Sequence, residues 1–153
     1  MKIPTSKEEF LSLSTLDRIK LLLKLSNNSK DLLSDYENIY LIISNALNSV
    51  RLFCLGKNNI KANDISDYLD NVDDNKSLAV LSCCIKDTDI AAILAFNIII
   101  NTIGYAANAA NEIQKEKSLL PTTITEATSD AVYDAVSCYR ELENLGLVNR
   151  YDK

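Results

Sequence analysis

The fold of this chain is decided by residues 90–110, IAAILAFNIIINTIGYAANAA. The stretch is long enough to cross a bilayer as a helix, but Asn97, Asn101 and Asn108 interrupt it and no basic cluster follows it. Its alanines, together with Gly104, let neighbouring helices approach closely on several sides. Asn97 and Asn101 lie one turn apart and are expected to tie helices together. The sequence therefore predicts a buried central helix rich in small residues, and no membrane span.

Periodicity on the amino-terminal side of this stretch predicts further helices. From Tyr36 onward apolar residues recur three and four positions apart, and Gly56 supplies the left-handed backbone that ends such a helix. Three glycines and two prolines are too few for the tight turns of a sandwich or barrel. A chain of 153 residues buries enough surface for one core. We predict an all-α fold, a single-domain helical bundle that spans residues 1–153.

Several boundaries of these helices can be predicted from capping and breaking residues. Asp87 or Thr88 is expected to begin the central helix. Ser129 is expected to cap the last helix, with Gly146 just past its end. The polar residues at 27–29 predict a turn. Leu120 is pushed towards an extended backbone by the proline that follows it, which predicts a break at Pro121.

Catalytic chemistry has few candidates in this sequence. The chain has no histidine, the residue most often used for acid and base catalysis at neutral pH. It also lacks a glycine-rich phosphate loop and a GxSxG elbow, and its cysteines have no histidine to form the thiolate. We expect a protein that is not an enzyme and that uses no cofactor.

Metal and nucleic-acid binding are not expected either. The four cysteines show no CxxC spacing, so a zinc site would need thiolates from unrelated segments. Residues 70–75 superficially suggest a calcium loop, but Val72 stands where an oxygen ligand is expected and Leu81 where the bidentate glutamate belongs. A net charge of −5 repels phosphates. The free cysteines and the lack of an apolar signal core predict a reduced, cytoplasmic protein.

Negative charge is concentrated in one segment of the chain. From Lys61 to Ile90, seven aspartates are opposed by three lysines, so this segment carries most of the net charge of −5. The aspartates are Asp64, Asp67, Asp70, Asp73, Asp74, Asp87 and Asp89. Aspartates often cap helices, and solvated acidic faces are common. Alternatively, the row forms an anionic surface that steers and docks a basic partner, with Tyr68 as an aromatic anchor.

Three parts of the chain resemble a known family. They are IKANDISDYLD at residues 60–70, GYAA at 104–107, and LPTTITEA at 120–127 with the acidic amphipathic helix that follows. In these parts the chain is similar to the all-α immunity proteins encoded beside the toxin genes of bacterial polymorphic toxin and contact-dependent growth inhibition systems. The resemblance covers roughly residues 30–143.

The resemblance implies a small cytoplasmic protein that binds a cognate toxin domain and blocks it without chemistry of its own. Toxin domains of such systems are often nucleases, which need a positive cleft to hold phosphates. An acidic helical face competes for that cleft. The toxin-binding residues expected on this basis are Asp64, Asp67, Tyr68, Asp70, Asp73 and Asp74.

Two other acidic surfaces and one other function also fit the sequence. The surfaces comprise Glu112, Glu116 and Lys117 on one helix, and Asp130, Asp134, Glu141 and Glu143 on the last helix. The other function is that of a helical adaptor or regulatory domain, which holds a partner helix in an apolar groove. Groove binding is nearly insensitive to salt, whereas association with an anionic face slows steeply as ionic strength rises.

Overall fold

The computed structural model describes residues 2–57, 59–114, 120, 124 and 126–149, and all regular structure in these ranges is helical. The helices with defined bounds are α1 (Lys7–Leu11), α2 (Thr15–Ser29), α3 (Glu37–Cys54), α4 (Ala62–Ser66), α5 (Leu78–Leu81), α6 (Ile90–Ile113), α7 (Ser129–Val132) and α8 (Asp134–Asn144). Short 3-10 segments lie at Lys30–Leu33, Asp74–Lys76 and Ser82–Cys84. The predicted all-α bundle is confirmed. That residues 1–153 form one domain stays a prediction.

The long helix α6 lies at the centre of the bundle. It packs against α2, α3, α4, α7 and α8, and Ala95, Ala106 and Ala107 are fully buried at 0% exposure. By length and composition alone α6 could cross a membrane, but 61% of its apolar window is buried inside the protein. Small side chains on several faces let this many neighbours approach one helix. The predicted buried central helix is confirmed.

Helix α3 shows the predicted periodicity. Its buried residues are Ile39, Ile43, Ala46, Leu47 and Val50. These residues form one stripe because they recur every three or four positions, and the stripe packs against α2 and α6. Gly56 then adopts a φ of 80°, a left-handed conformation that costs a glycine little because it has no Cβ. The predicted stop at Gly56 is confirmed.

A buried hydroxyl pair joins α2 to α6. The hydroxyl oxygens of Ser26 and Thr102 lie 2.8 Å apart, and both residues are fully buried. The Thr102 hydroxyl donates to the Ile98 carbonyl of its own helix at 2.8 Å. Since a hydroxyl has one proton, Ser26 is the donor to Thr102. This pair satisfies two polar groups that would otherwise be costly to bury.

The two asparagines of α6 differ in what they bind. Asn97 lies near the Cys138 thiol of α8, where its side chain opposes the rise in the pKa of that thiol, as expected of a residue that ties helices together. The side-chain amide of Asn101 instead donates to the Asn97 carbonyl of its own helix at 2.8 Å. The prediction was therefore wrong for Asn101, whose amide uses the nearest acceptor on its own helix.

The turn predicted at residues 27–29 is absent. Helix α2 continues through Ser29, whose buried hydroxyl donates to the Leu25 carbonyl at 2.9 Å. The 3-10 segment Lys30–Leu33 follows directly and buries Leu33. Tertiary burial here outweighs the weak helix propensity of asparagine and serine. The break predicted at Pro121 lies outside the described residues.

The start of α6 was predicted to within two residues, but the predicted capping residue was wrong. Asp89 is the cap, whereas Asp87 or Thr88 had been predicted. One oxygen of Asp89 accepts the N–H of Ala92 at 3.2 Å, and the other accepts the Tyr36 hydroxyl at 2.8 Å. The bond from Tyr36 is a tertiary contact, which local sequence patterns do not contain.

The carboxy-terminal helices begin after Thr128. Its hydroxyl accepts the N–H of Ala131 at 3.3 Å, so Thr128 caps α7, and the prediction of Ser129 as the cap was wrong. Helix α8 follows and ends before Gly146, which adopts a φ of 72°. The predicted position of Gly146 just past the last helix is confirmed.

Arg18 of α2 holds three other helices together. Its guanidinium donates to the carbonyls of Phe10, at 3.2 Å, and Leu11 at the end of α1. It also donates to the hydroxyls of Tyr105 on α6, at 3.2 Å, and Ser129 on α7, at 3.0 Å. The carbonyl end of a helix attracts positive charge, so α1 supplies part of the compensation for this part-buried cation.

Candidate functional site

The predicted binding residues lie on α4 and on the loop that follows it. Backbone hydrogen bonds close the loop at its base, where the N–H groups of Leu78 and Ala79 donate to the carbonyls of Tyr68 and Leu69, both at 3.0 Å. The Ser77 hydroxyl adds a bond to the Leu69 carbonyl at 2.8 Å. These hydrogen bonds fix the two ends of the loop to each other. We call residues 67–77 the acidic loop.

The five predicted aspartates are exposed, and Asp64 and Asp70 lie close enough to Asp67 to act on its charge. We call Asp64, Asp67, Asp70, Asp73 and Asp74 the acidic face. No ion pair joins any of these carboxylates to a lysine or arginine in the part of the chain that the structure describes. Their charge is therefore left for solvent, or for a partner, to compensate.

Three members of the acidic face repel one another. Burial raises the pKa of Asp67 above its usual value of 3.8, and the neighbouring carboxylates of Asp64 and Asp70 raise it further. The Asp64 carboxylate also accepts the backbone N–H of Lys61 at 2.8 Å, which fixes it at the start of α4. Carboxylates held together without a cation are common where a partner supplies the missing positive charge.

The far end of the acidic loop is ordered by local hydrogen bonds. Asp73 accepts the N–H of Asn75 at 3.0 Å, and Asn71 accepts the N–H of Asp73 at 2.9 Å. The Asn38 amide of α3 donates to the Asn75 carbonyl at 3.1 Å. Asp73 therefore has a structural role besides its place on the acidic face, whereas Asp74 is simply exposed.

Tyr68, the predicted aromatic anchor, is less exposed than the aspartates around it. It is half-buried and packs against the core, and its hydroxyl lies 3.1 Å from the Ser49 hydroxyl of α3. The structure thus uses most of Tyr68 to fasten α4 to α3. Its remaining exposed edge can still contribute to a binding surface.

Val72 is a further candidate binding residue. It was not among the residues predicted from sequence to bind a partner. It lies in the acidic loop with a relative exposure of 105%, the highest of the large apolar residues that the structure describes. An apolar side chain fully in water, with aspartates nearby in the loop, is the kind of contact that a partner can cover. An apolar residue inside a polar loop was the available sequence signal.

An apolar groove lies beside the acidic loop. It has a volume of about 350 Å³ and is lined mainly by Leu69, Ala79, Phe96, Ile100, Ala127 and Ala131. Leu69 and Ala79 also close the base of the acidic loop, so the groove adjoins the base of that loop. This groove is of the type that the alternative adaptor function requires.

The other acidic surfaces considered from sequence are less suited to binding. Glu143 is buried and forms an ion pair with Arg140 at 3.0 Å. Asp130 forms an ion pair with Lys7 at 3.4 Å. Glu112 is exposed, but Glu116 and Lys117 lie outside the described residues.

The cysteines are not arranged as a reactive or metal-binding set. Among the described residues, no group of three or more His, Cys, Asp or Glu side chains is placed to hold a metal ion. Burial, with the neighbouring Asp134 carboxylate, raises the pKa of the Cys138 thiol to about 11. Burial also raises the pKa of Cys54. Cys83 is exposed.

We expect Cys138 to resist thiol reagents in the native protein while Cys83 reacts quickly. With a pKa of about 11, roughly one Cys138 thiol in 1,000 is ionised at pH 8, and only the thiolate reacts. Mass spectrometry after timed iodoacetamide treatment measures the two rates. Equal rates at the two cysteines in native protein would contradict the structure, and equal rates in urea serve as the control.

We expect Asp67→Asn to stabilise the folded protein at pH 7 by about 0.5 kcal/mol, because it removes two like-charge repulsions from a mostly solvated site. The raised pKa makes folded wild type take up a proton at Asp67 more readily than the unfolded chain. This contribution favours folding at low pH and is lost as the pH rises through the raised pKa.

The difference between Asp67→Asn and wild type should therefore grow as the pH rises from 4 to 7. Urea unfolding at several pH values measures it. Asp87→Asn, which removes another exposed aspartate, is the control and should show a smaller effect. Destabilisation by Asp67→Asn at pH 7 would show that the repulsion is not present.

One family model matches most of this chain. The model is described as immunity protein Imm6 and matches residues 17–142. The matched range begins in the first turn of α2 and ends within α8, so it includes the acidic face and the groove. No curated protein and no solved structure matches the chain.

Proposed function

This chain belongs to the Imm6 family of immunity proteins, and from that premise we propose that it binds a cognate toxin domain and neutralises it through the acidic face. The family match supports the immunity role. The cluster of Asp64, Asp67 and Asp70, in which burial and then the two neighbouring carboxylates raise the pKa of Asp67, supports this surface as the binding site. A basic partner would relieve that repulsion on binding.

We further propose that the toxin is a nuclease and that the acidic face occludes its substrate cleft. Such a cleft must be positive to hold phosphates, and five exposed carboxylates present the complementary charge. If so, a polyanion such as heparin should compete with this chain for the toxin domain. Binding of the chain to the toxin domain that is unchanged by heparin would count against occlusion of the cleft.

Neutralisation of this kind requires binding but no catalysis. We propose that the protein is not an enzyme, acts in the cytoplasm and binds neither nucleic acid nor a membrane. Its net charge of −5 disfavours nucleic acid. Tight binding is the physical requirement, and a standard interface of about 1,600 Å² supplies it when its central contacts are well packed.

Co-expression tests the proposed function. The toxin domain encoded next to this chain's gene is expressed in cells with and without the chain, and growth and co-purification are measured. We expect growth to be restored and a one-to-one complex to be isolated. Continued growth arrest without any complex would overturn the proposal.

The apolar groove favours a second candidate function, an adaptor that holds a partner helix. Its lining is mostly apolar and open to solvent, as in other sites that take an amphipathic helix. Salt separates the two functions, because groove binding without charge is nearly independent of ionic strength. Association that is ten times slower at high salt would favour the acidic face.

A further inference from the structure

We propose that the apolar groove is the second half of the toxin-binding surface, and that it takes an apolar side chain of the toxin that is flanked by basic residues. The inference rests on the proposed function and adds a location and a partner chemistry to it. It stands on the shape of the groove, on its lining and on the charges along its edges.

Three segments of the chain line the groove. Leu69 and Ala79 come from the base of the acidic loop, Ala131 comes from α7, and Phe96 and Ile100 come from α6. Ala79 and Ala131 are both exposed. A volume of about 350 Å³ lies at the lower end of the range of about 300–1,000 Å³ for ligand sites, so it suits one or two large side chains.

Gly104 sets the depth of the groove. A Cβ at this position would meet the Cβ of Ala127 at 3.2 Å and a methyl carbon of Leu69 at 3.6 Å. The first distance is tighter than ordinary van der Waals contact. Because Gly104 has no side chain, Leu69 and Ala127 approach α6 closely, and the floor between them stays free of side-chain atoms.

The charges at the groove are negative. Glu126 lines the groove and is exposed, and the exposed Asp70 follows the lining residue Leu69 in the chain. No described residue of the lining carries a positive charge. An apolar cavity with carboxylates beside it complements an apolar side chain with arginine or lysine beside it, and it disfavours an acidic partner.

Val72 is an exposed apolar residue of the acidic loop. Its side chain is fully exposed, while Leu69 at the base of the loop lines the groove. The surface therefore offers an apolar contact at the base and another within the loop. Interfaces of high affinity commonly combine a packed apolar centre with a charged rim.

The two halves of the surface should differ in kinetics. Charges on the rim steer diffusion and act mainly on the association rate. Packing of a side chain into the groove is lost only on separation, so it acts mainly on the dissociation rate. This difference lets an experiment distinguish the groove from the acidic face.

The test uses Ala79→Arg and Ala131→Arg, which change lining residues from two different segments of the chain. Both positions are exposed, so the larger side chain can be accommodated without entering the core. Ser137→Arg on α8 adds the same charge at an exposed position that does not line the groove, and is the matched control. Circular dichroism and thermal melting establish that all three variants fold.

Surface plasmon resonance against the toxin domain encoded next to this chain's gene gives the rates. We expect each groove variant to dissociate about 30-fold faster, which corresponds to about 2 kcal/mol, with an association rate within about threefold of the wild type. Ser137→Arg should leave both rates unchanged. Wild-type dissociation rates for Ala79→Arg and Ala131→Arg would overturn the groove proposal.

Failure of the proposed function looks different. If the wild type binds this toxin domain and restores growth while both groove variants do the same, only the groove proposal is overturned. If the wild type does not bind the toxin domain, the proposed function and this inference are overturned together. If one groove variant alone unfolds, the other groove variant decides the result.

Discussion

Combined Asp67→Lys and Asp70→Lys substitution should weaken toxin binding by about 1,000-fold, or about 4 kcal/mol. The change replaces two carboxylates of the acidic face by cations, and like charges placed across an interface cost several kcal/mol. Much of the loss should appear in the association rate, because the steering field is reversed. Association should also lose its steep dependence on salt.

Folding should survive this double substitution. Asp67 is the residue that follows α4, and a cation at the carboxyl end of a helix is favourable. The substitution also removes the repulsion between Asp67 and its carboxylate neighbours, which adds to burial in raising the pKa of Asp67. Isothermal titration calorimetry at 50 and 300 mM salt measures the affinity, and stopped flow measures the association rate.

A matched double substitution controls for net charge. Asp134→Lys and Glu141→Lys change the total charge by the same amount at two exposed positions of α8. This pair belongs to the alternative acidic surface, so it also tests that surface. We expect less than a threefold loss of affinity. A large loss here, with none from Asp67 and Asp70, would move the binding site to α8.

Arg18→Met should lower the free energy of unfolding by about 3 kcal/mol, the scale of lost hydrogen bonds to a charged group. Methionine keeps much of the apolar stem of the side chain but no donor. The carbonyls of Phe10 and Leu11 and the hydroxyls of Tyr105 and Ser129 each lose a donor. In a chain of this size the melting temperature should fall by about 10 °C.

Lys20→Met is the matched control for Arg18→Met. Lys20 lies on the same helix but is exposed, and surface substitutions usually change stability by less than about 0.5 kcal/mol. Thermal and urea unfolding of the two variants and wild type give the comparison. Equal effects at positions 18 and 20 would show that the Arg18 contacts do not stabilise the bundle.

The parts of the fold predicted from sequence are those that periodicity controls. The apolar stripe of α3 and the small residues of α6 are buried in the order that helical spacing dictates. Caps were less predictable because several suitable residues compete within one turn. Asp89 is distinguished from Asp87 and Thr88 by its bond to Tyr36, which is far away in sequence.

The candidate site also has parts that could be predicted from sequence and parts that could not. Asp64 and Asp67 share a surface because of their spacing, and the structure places Asp70 with them. The groove could not be predicted, since its walls come from Leu69, Ala79 and Ala131, which meet only after folding. Sequence also could not reveal that Glu143 is buried.

The acidic face and the predicted effect of Asp67→Asn together distinguish a binding surface from a merely solvated one. A solvated acidic face would gain stability on neutralisation and lose nothing. A binding face gains stability and loses affinity, a trade-off typical of functional sites. We therefore expect Asp67→Asn to be more stable at pH 7 and to bind the toxin domain more weakly than wild type.

Direct inhibition tests the central claim, that this chain neutralises a toxin by binding it. The purified toxin domain encoded next to the chain's gene is titrated with the purified chain, and the toxin's activity on its own substrate is measured at concentrations far above the Kd. We expect a linear loss of activity that is complete at one equivalent. Full toxin activity in the presence of a tenfold excess of the chain would contradict it.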